Sequence, residues 1–127
     1  DGVIPRTRLP EVLAEIARIA DRNQVVIANV FHAGDGNLHP VVLYDEREPG
    51  VLDRVRAAGD AILRAVIAAG GALSGEHGIG LEKRDYMPLT FGPADLDAQA
   101  RARDALDPHG RLNPEKVLPL LGRSRSV

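Results

Sequence analysis

Between Leu9 and Ala69 the spacing of the apolar residues changes twice, and those changes limit the folds open to this chain. Leu9, Val12, Leu13, Ile16, Ile19 and Ala20 recur at three- and four-residue intervals. That is the period of an amphipathic helix, over RLPEVLAEIARIADRN, with Pro10 near its start and Asn23 near its end. VVIANVF (25–31) and NLHPVVLYD (37–45) are rich in β-branched residues and bounded by polar ones, so they read as strands. Pro40 marks the second as an edge or a bulge. From Val51 to Ala69 the helical period returns with Leu52, Val55, Ile62, Leu63, Val66 and Ile67 inward, and Gly70-Gly71 stops it. A short run Gly2–Pro5 precedes these elements and ALS (72–74) follows them. The order β-α-β-β-α-β predicts an α+β fold, the split βαβ of ferredoxin-like domains, with an antiparallel sheet and helices on one face.

Past Gly80 the style changes. LEKRDYM reads as a helical turn, PADLDAQARARDAL as a helix, and DPHGRLNPEKVLP as a chain of turn formers with little apolar period. The expected organisation is therefore a ferredoxin-like part over 1–80 and a helical return segment over 81–127 that lies against something else. The chain begins DGVIP, without Met and already in strand-like sequence, and so reads as a piece of a longer protein. Scattered Lys and Arg, a net charge of -2 and 3% aromatics argue against nucleic acid as a partner. With no cysteine, disulfides, thiolate metal sites and cysteine nucleophiles are excluded. No apolar run is long enough to span a membrane, and the expected setting is cytoplasmic.

Two of the four histidines flank a turn in FHAGDGNLHP (31–40). Asp-Gly between two strand patterns is a strong hairpin signal. If Asp35 and Gly36 form the loop, Gly34 pairs with Asn37, Ala33 with Leu38, and His32 with His39. The two imidazoles then face each other with Cβ atoms about 4.5 to 5.5 Å apart, a spacing at which both can hold one divalent ion at about 2.0 to 2.1 Å. For the pair alone, the plainer reading is a hairpin end that carries two half-exposed histidines.

SGEHGIG (74–80) sets Glu76 and His77 between glycines just after the expected fourth strand. Glu76 is a candidate third ligand, completing the His, His, Glu composition of open catalytic sites. His77 is then left as a base able to move a proton near neutral pH. The plainer reading makes Glu76 a helix-capping carboxylate and His77 a surface residue. His109, in DPHGRLNP, is a turn residue without a site role.

HAGDGNLHP, then SGEHGIG with Lys83 following, then LDPHGRLNPEK, in this order and spacing, resemble the C-terminal part of the FAD-linked oxidases. That family includes glycolate oxidase flavoprotein subunits, D-lactate dehydrogenases and D-2-hydroxyglutarate dehydrogenases. The resemblance covers nearly the whole chain. It implies a cap over a substrate held above FAD, with the flavin bound mainly by an N-terminal domain absent from this chain, so that the isolated chain is inactive. It implies a small 2-hydroxy acid substrate, an electron-acceptor subunit as a candidate partner, and peripheral membrane association through that subunit. His32, His39 and Glu76 match the divalent-metal ligands (Zn²⁺ or Mn²⁺), His77 the base that also touches substrate, and Asn113 a closing motif near the flavin.

The sequence departs from the family pattern at two places. Glu115 stands where the closing motif usually has Gly. Pro40 and Val41 follow His39 where some members carry a polar substrate contact, which fits a small substrate better than a long dicarboxylate. Lys83 or Arg84 could neutralise a substrate carboxylate, although a solvated charge run on a short helix explains them more simply. Two other classes stay open at this point. A metal-dependent hydrolase would use the same ligands to activate water and would work with metal alone. A non-catalytic ferredoxin-like module for ligand binding or dimerisation would be indifferent to His77→Ala.

Overall fold

The structure, a computed structural model, describes residues 1–119. The end of the expected return segment, residues 120–127, lies outside the described residues. Helices α1 (Leu9–Asn23) and α2 (Val51–Ala68) form where the 3.6-residue period runs. Pro10 sits at the start of α1, where its missing N–H costs no helical bond. At the other end, Gln24 turns left-handed and its N–H caps the carbonyls of Ala20 and Asp21. Val12, Ile16 and Ile19 of α1 pack with Ala58, Ile62 and Val66 of α2 in one core. The inward face of α2 begins at Val51, which is buried, whereas Leu52 is 42% exposed, so the expected placement of Leu52 inside is corrected by one residue.

Strands β1 (Gly2–Val3), β2 (Val26–His32) and β3 (Asn37–Leu43) make an antiparallel sheet in the order β1-β3-β2. The protein is thus α+β. The expected fourth strand is reduced to one antiparallel bridge, Val3 with Ala72, on the free edge of β1. Its two backbone bonds are Val3 N–H to Ala72 O, 3.2 Å, and Ala72 N–H to Val3 O, 2.8 Å. Ile4 and Leu38 turn one face of this sheet into the helical core, with Ile27 packed against it. Val3, Asn37, His39 and His32 alternate with these residues and belong to the other face.

The hairpin register differs from the expected one. His32 pairs with Asn37, Phe31 with Leu38 and Val30 with His39, so the loop has four residues, Ala33 to Gly36, instead of two. The His32 carbonyl accepts from both Asp35 N–H and Gly36 N–H at 3.0 Å, closing this wider turn. Gly36 is left-handed (φ 75°), and its carbonyl accepts from Ile4 N–H at 3.0 Å. That tertiary bond draws Gly36 against the chain leaving β1 and out of the tight turn. The histidines are therefore diagonal and not directly opposed. A shift of two residues leaves every side chain on its original face, so both imidazoles still project from the same side.

The chain divides into two compact units, Asp1–His77 and a second from Gly78 onward. The second contains a 3-10 helix, Arg84–Leu89, and helix α3, Pro93–Leu106, with Met87, Leu96, Ala100 and Leu118 buried. Gly92 N–H donates to Asp95 Oδ2 (2.9 Å) at the start of α3. Beyond its end, the Asp107 carboxylate accepts from the N–H groups of Arg111 (2.7 Å) and Leu112 (2.9 Å). No described helix is long and apolar enough to cross a membrane.

A Cβ at Gly36 would lie 2.1 Å from Ile4 O, and left-handed backbone costs an L-residue about 1–2 kcal/mol before any clash. Gly36→Ala is therefore expected to destabilise the protein by at least about 2 kcal/mol in urea unfolding. An unchanged midpoint would contradict this account of the hairpin.

Candidate metal centre

The site is built at the β2–β3 hairpin by a loop that arrives from the far edge of the sheet. His32 ends β2, and Asn37 and His39 lie two residues apart near the start of β3, so all three share one face. The bridge at Ala72 brings the following segment alongside β1, from which it crosses back over the open face. Gly75 makes the crossing possible. A Cβ there would stand 2.5 Å from both Val3 Cγ2 and Asn37 Oδ1, so only glycine lets the loop lie this close.

Asp1 holds that loop in shape. Its side chain is fully buried, and Oδ2 accepts backbone N–H bonds from Gly75 (2.8 Å), Glu76 (2.8 Å) and His77 (3.2 Å). The Ser74 hydroxyl sits 3.2 Å from both carboxylate oxygens. Three successive amides around one carboxylate form an anion-holding nest, and bonds to a charged acceptor are stronger than neutral ones. With its backbone fixed in this way, the loop presents Glu76 and His77 to the two histidines.

Glu76 Oε1 is 3.1 Å from His39 Nε2, 3.9 Å from His32 Nε2 and 3.6 Å from His77 Nε2. One ligand atom from each of His32, His39 and Glu76 lies within 4.8 Å of the others. Atoms bound to one ion at about 2.0 to 2.2 Å stand roughly 3 to 4 Å apart, so the donor set and its spacing fit a divalent cation. The His32 and His39 rings meet edge to face with centroids 5.4 Å apart, and His77 lies 5.0 Å from His39. The His39 side chain is 15% exposed, whereas His32, Glu76 and His77 are about half open. His77 Nδ1 is 3.9 Å from Asp1 Oδ1, beyond hydrogen-bond range.

Asn37 and Asp1 were not singled out by the sequence reading. Asn37 could have been, since residues two apart on a strand share a face and it stands two before His39. Asp1 offered no such signal, because its partners lie at the opposite end of the same unit. In the second unit Asn113 is exposed and left-handed (φ 49°), with its N–H bonded to Arg111 O. Arg84 Nη1 donates to the Glu115 carbonyl at 2.9 Å, a structural role within the closing loop.

Residues 1–117 match the family described as FAD linked oxidases, C-terminal domain. The chain belongs to that family. It is 46% identical over 123 residues to the glycolate oxidase subunit GlcD of Escherichia coli strain K12, covering 97% of this chain and 25% of that relative. It is 35% identical over 127 residues to the GlcD subunit of Bacillus subtilis, covering 100% and 27%. It is 32% identical over 120 residues to a probable mitochondrial D-lactate dehydrogenase of Danio rerio, covering 94% and 24%. The chain thus spans about a quarter of the length of these relatives.

Bonds to a charged group contribute about 1.5–3 kcal/mol each. Asp1→Ala should therefore raise amide hydrogen exchange at residues 75–77 by at least about tenfold, while the amides of α1 stay protected. Unchanged exchange there would mean that Asp1 does not order the loop.

Proposed function

We propose that this chain serves an FAD-dependent oxidoreductase acting on a small 2-hydroxy acid of the glycolate or D-lactate type. Residues 1–80 form half of the cap over the substrate, and the return segment, described from 81 to 119, runs towards an FAD-binding domain. The convergence of His32, His39 and Glu76 on one point of the open sheet face carries the reading. Family membership and the printed activities of the relatives support the chemistry. FAD, held mainly by that other domain, would supply the hydride acceptor, Asn113 would lie towards the flavin, and the isolated chain would not turn over.

His32, His39 and Glu76 would hold a divalent cation, which would supply Lewis-acid chemistry towards the substrate hydroxyl. His77 is exposed and lies outside the ligand set, with Nε2 3.6 Å from Glu76 Oε1. Its role is to accept the proton that leaves the hydroxyl. Glu76 joins the two functions, since its carboxylate faces both the ligand histidines and the base. The rest of the open face is apolar. Val30 pairs with His39, and Val41, two residues beyond His39, pairs with Ala28. Val30 and Val41 are both exposed. They offer no charge partner to a second carboxylate, which favours a short substrate.

The test has two parts. Titrated with Zn²⁺ or Mn²⁺, the protein is expected to bind one ion, with His32→Ala and His39→Ala each weakening binding by at least tenfold and His77→Ala leaving it intact. In a flavoenzyme that includes this chain, His77→Ala is expected to lower kcat by about 10²–10⁴-fold with metal and FAD content unchanged. Full turnover in that variant would remove His77 from proton transfer.

A further inference from the structure

We propose that Asn37 is a fourth protein ligand of this centre and gives a neutral amide oxygen, Oδ1, to the cation. The inference rests on the metal reading above and adds to it a residue outside the His, His, Glu set. Asn37 pairs across the hairpin with His32 and precedes His39 by two residues, so it neighbours both histidines on their own face. It is 5% exposed. Its Nδ2 is 3.3 Å from His39 Nε2, the same ring nitrogen that is 3.1 Å from Glu76 Oε1.

These two contacts make opposite demands on one nitrogen. If Nε2 carries a hydrogen, it can donate to the Glu76 carboxylate but points its N–H at the hydrogens of the Asn37 amide. If Nε2 carries its lone pair, it can accept from Asn37 but sets that lone pair against a carboxylate. Neither tautomer satisfies both. Asn37 Oδ1, meanwhile, is buried with no hydrogen-bond partner, although a buried acceptor ordinarily has one.

A half-turn of the amide about χ2, whose torsional profile is roughly two-fold, exchanges Oδ1 and Nδ2 with little displacement of either position. The oxygen then joins Glu76 Oε1 and the two imidazole nitrogens in a cluster of acceptors. A cation answers such a cluster, because each member gives it a lone pair and none needs a hydrogen. The conflict at His39 Nε2 is then relieved, and the NH2 takes the place beside Gly75 where Oδ1 now lies.

An amide in place of a carboxylate also fits an anionic substrate. With two neutral imidazoles, one carboxylate and one amide, a bound divalent ion keeps a net charge of +1, which attracts a 2-hydroxy carboxylate. A second carboxylate would cancel that charge.

The test compares the protein with Asn37→Leu, close in shape but without a ligand atom, and with Asn37→Asp, which keeps the oxygen and adds charge. Mn²⁺ and Zn²⁺ dissociation constants would be measured by competition with a chromophoric chelator, and folding checked by thermal melting. The expected result is binding weakened at least tenfold in Asn37→Leu and at least as tight as the parent in Asn37→Asp. Should Asn37→Leu fail to fold, Asn37→Asp decides alone. Parent-like affinity in Asn37→Leu, or affinity lost in a folded Asn37→Asp, would reduce Asn37 to a packing residue beside His39 and overturn the proposal. A parent that binds His32-dependent metal but is indifferent to residue 37 refutes only this inference, whereas a parent that binds no metal refutes the metal reading beneath it.

Discussion

β1 is two residues long, and both of its edges are occupied. One pairs with Asn37 and Leu38 of β3, and the other bridges Ala72. Two of the segments that build the site meet on this short backbone. The β3 side fixes the strand that bears Asn37 and His39, and the Ala72 side delivers the loop that bears Glu76 and His77. Each ladder bond taken alone contributes only about 1 kcal/mol net. The strand is held by what lies on either side of it: Ile4 enters the core beneath, and Asp1 is locked into the amides of residues 75–77 above. A short strand between two long-range partners is an economical way to join segments more than thirty residues apart, but it makes the site depend on the packing of Ile4 and the burial of Asp1.

The site itself is unevenly anchored. Asn37 is buried and His39 nearly so, on a strand whose reverse face packs through Leu38 into the core. His32, Glu76 and His77 are much more open. The rigid pair therefore fixes where a cation would sit, and the open side chains can adjust their rotamers to it at modest cost. His32 Nε2, 3.9 Å from Glu76 Oε1, needs only such an adjustment. His77 shares that openness, with its side chain 61% exposed beside Glu76.

Much of this was legible in the sequence. Amphipathic period located α1 and α2 almost to the residue, and the alternation of β-branched runs located β2 and β3. The hairpin register was not legible, because Asp35-Gly36 alone favours a two-residue loop, and only the tertiary bond from Ile4 N–H to Gly36 O explains the wider one. The error did not affect the site, since a slip of two residues preserves the face on which His32 and His39 stand. A slip of one would have hidden them. The arrival of Glu76 could not be read from spacing, because it depends on a loop crossing the sheet face at Gly75. Asp1 was invisible for the same reason, as its three amide partners lie some seventy-five residues away.

The second unit gives a contrasting case, where a sequence departure became interpretable only with the backbone in view. Glu115 replaces a glycine expected in the closing motif, and its φ is 66°. The position thus calls for left-handed backbone, which glycine adopts freely and glutamate adopts at a cost of about 1–2 kcal/mol. Part of that cost is offset by Arg84, whose guanidinium donates to the Glu115 carbonyl and helps hold the turn. Arg84, which could be read as a substrate contact or more simply as part of a solvated charge run, donates to a backbone carbonyl of a loop that lacks its glycine. Arg84 and the departure at Glu115, distant along the chain, thus meet in one contact.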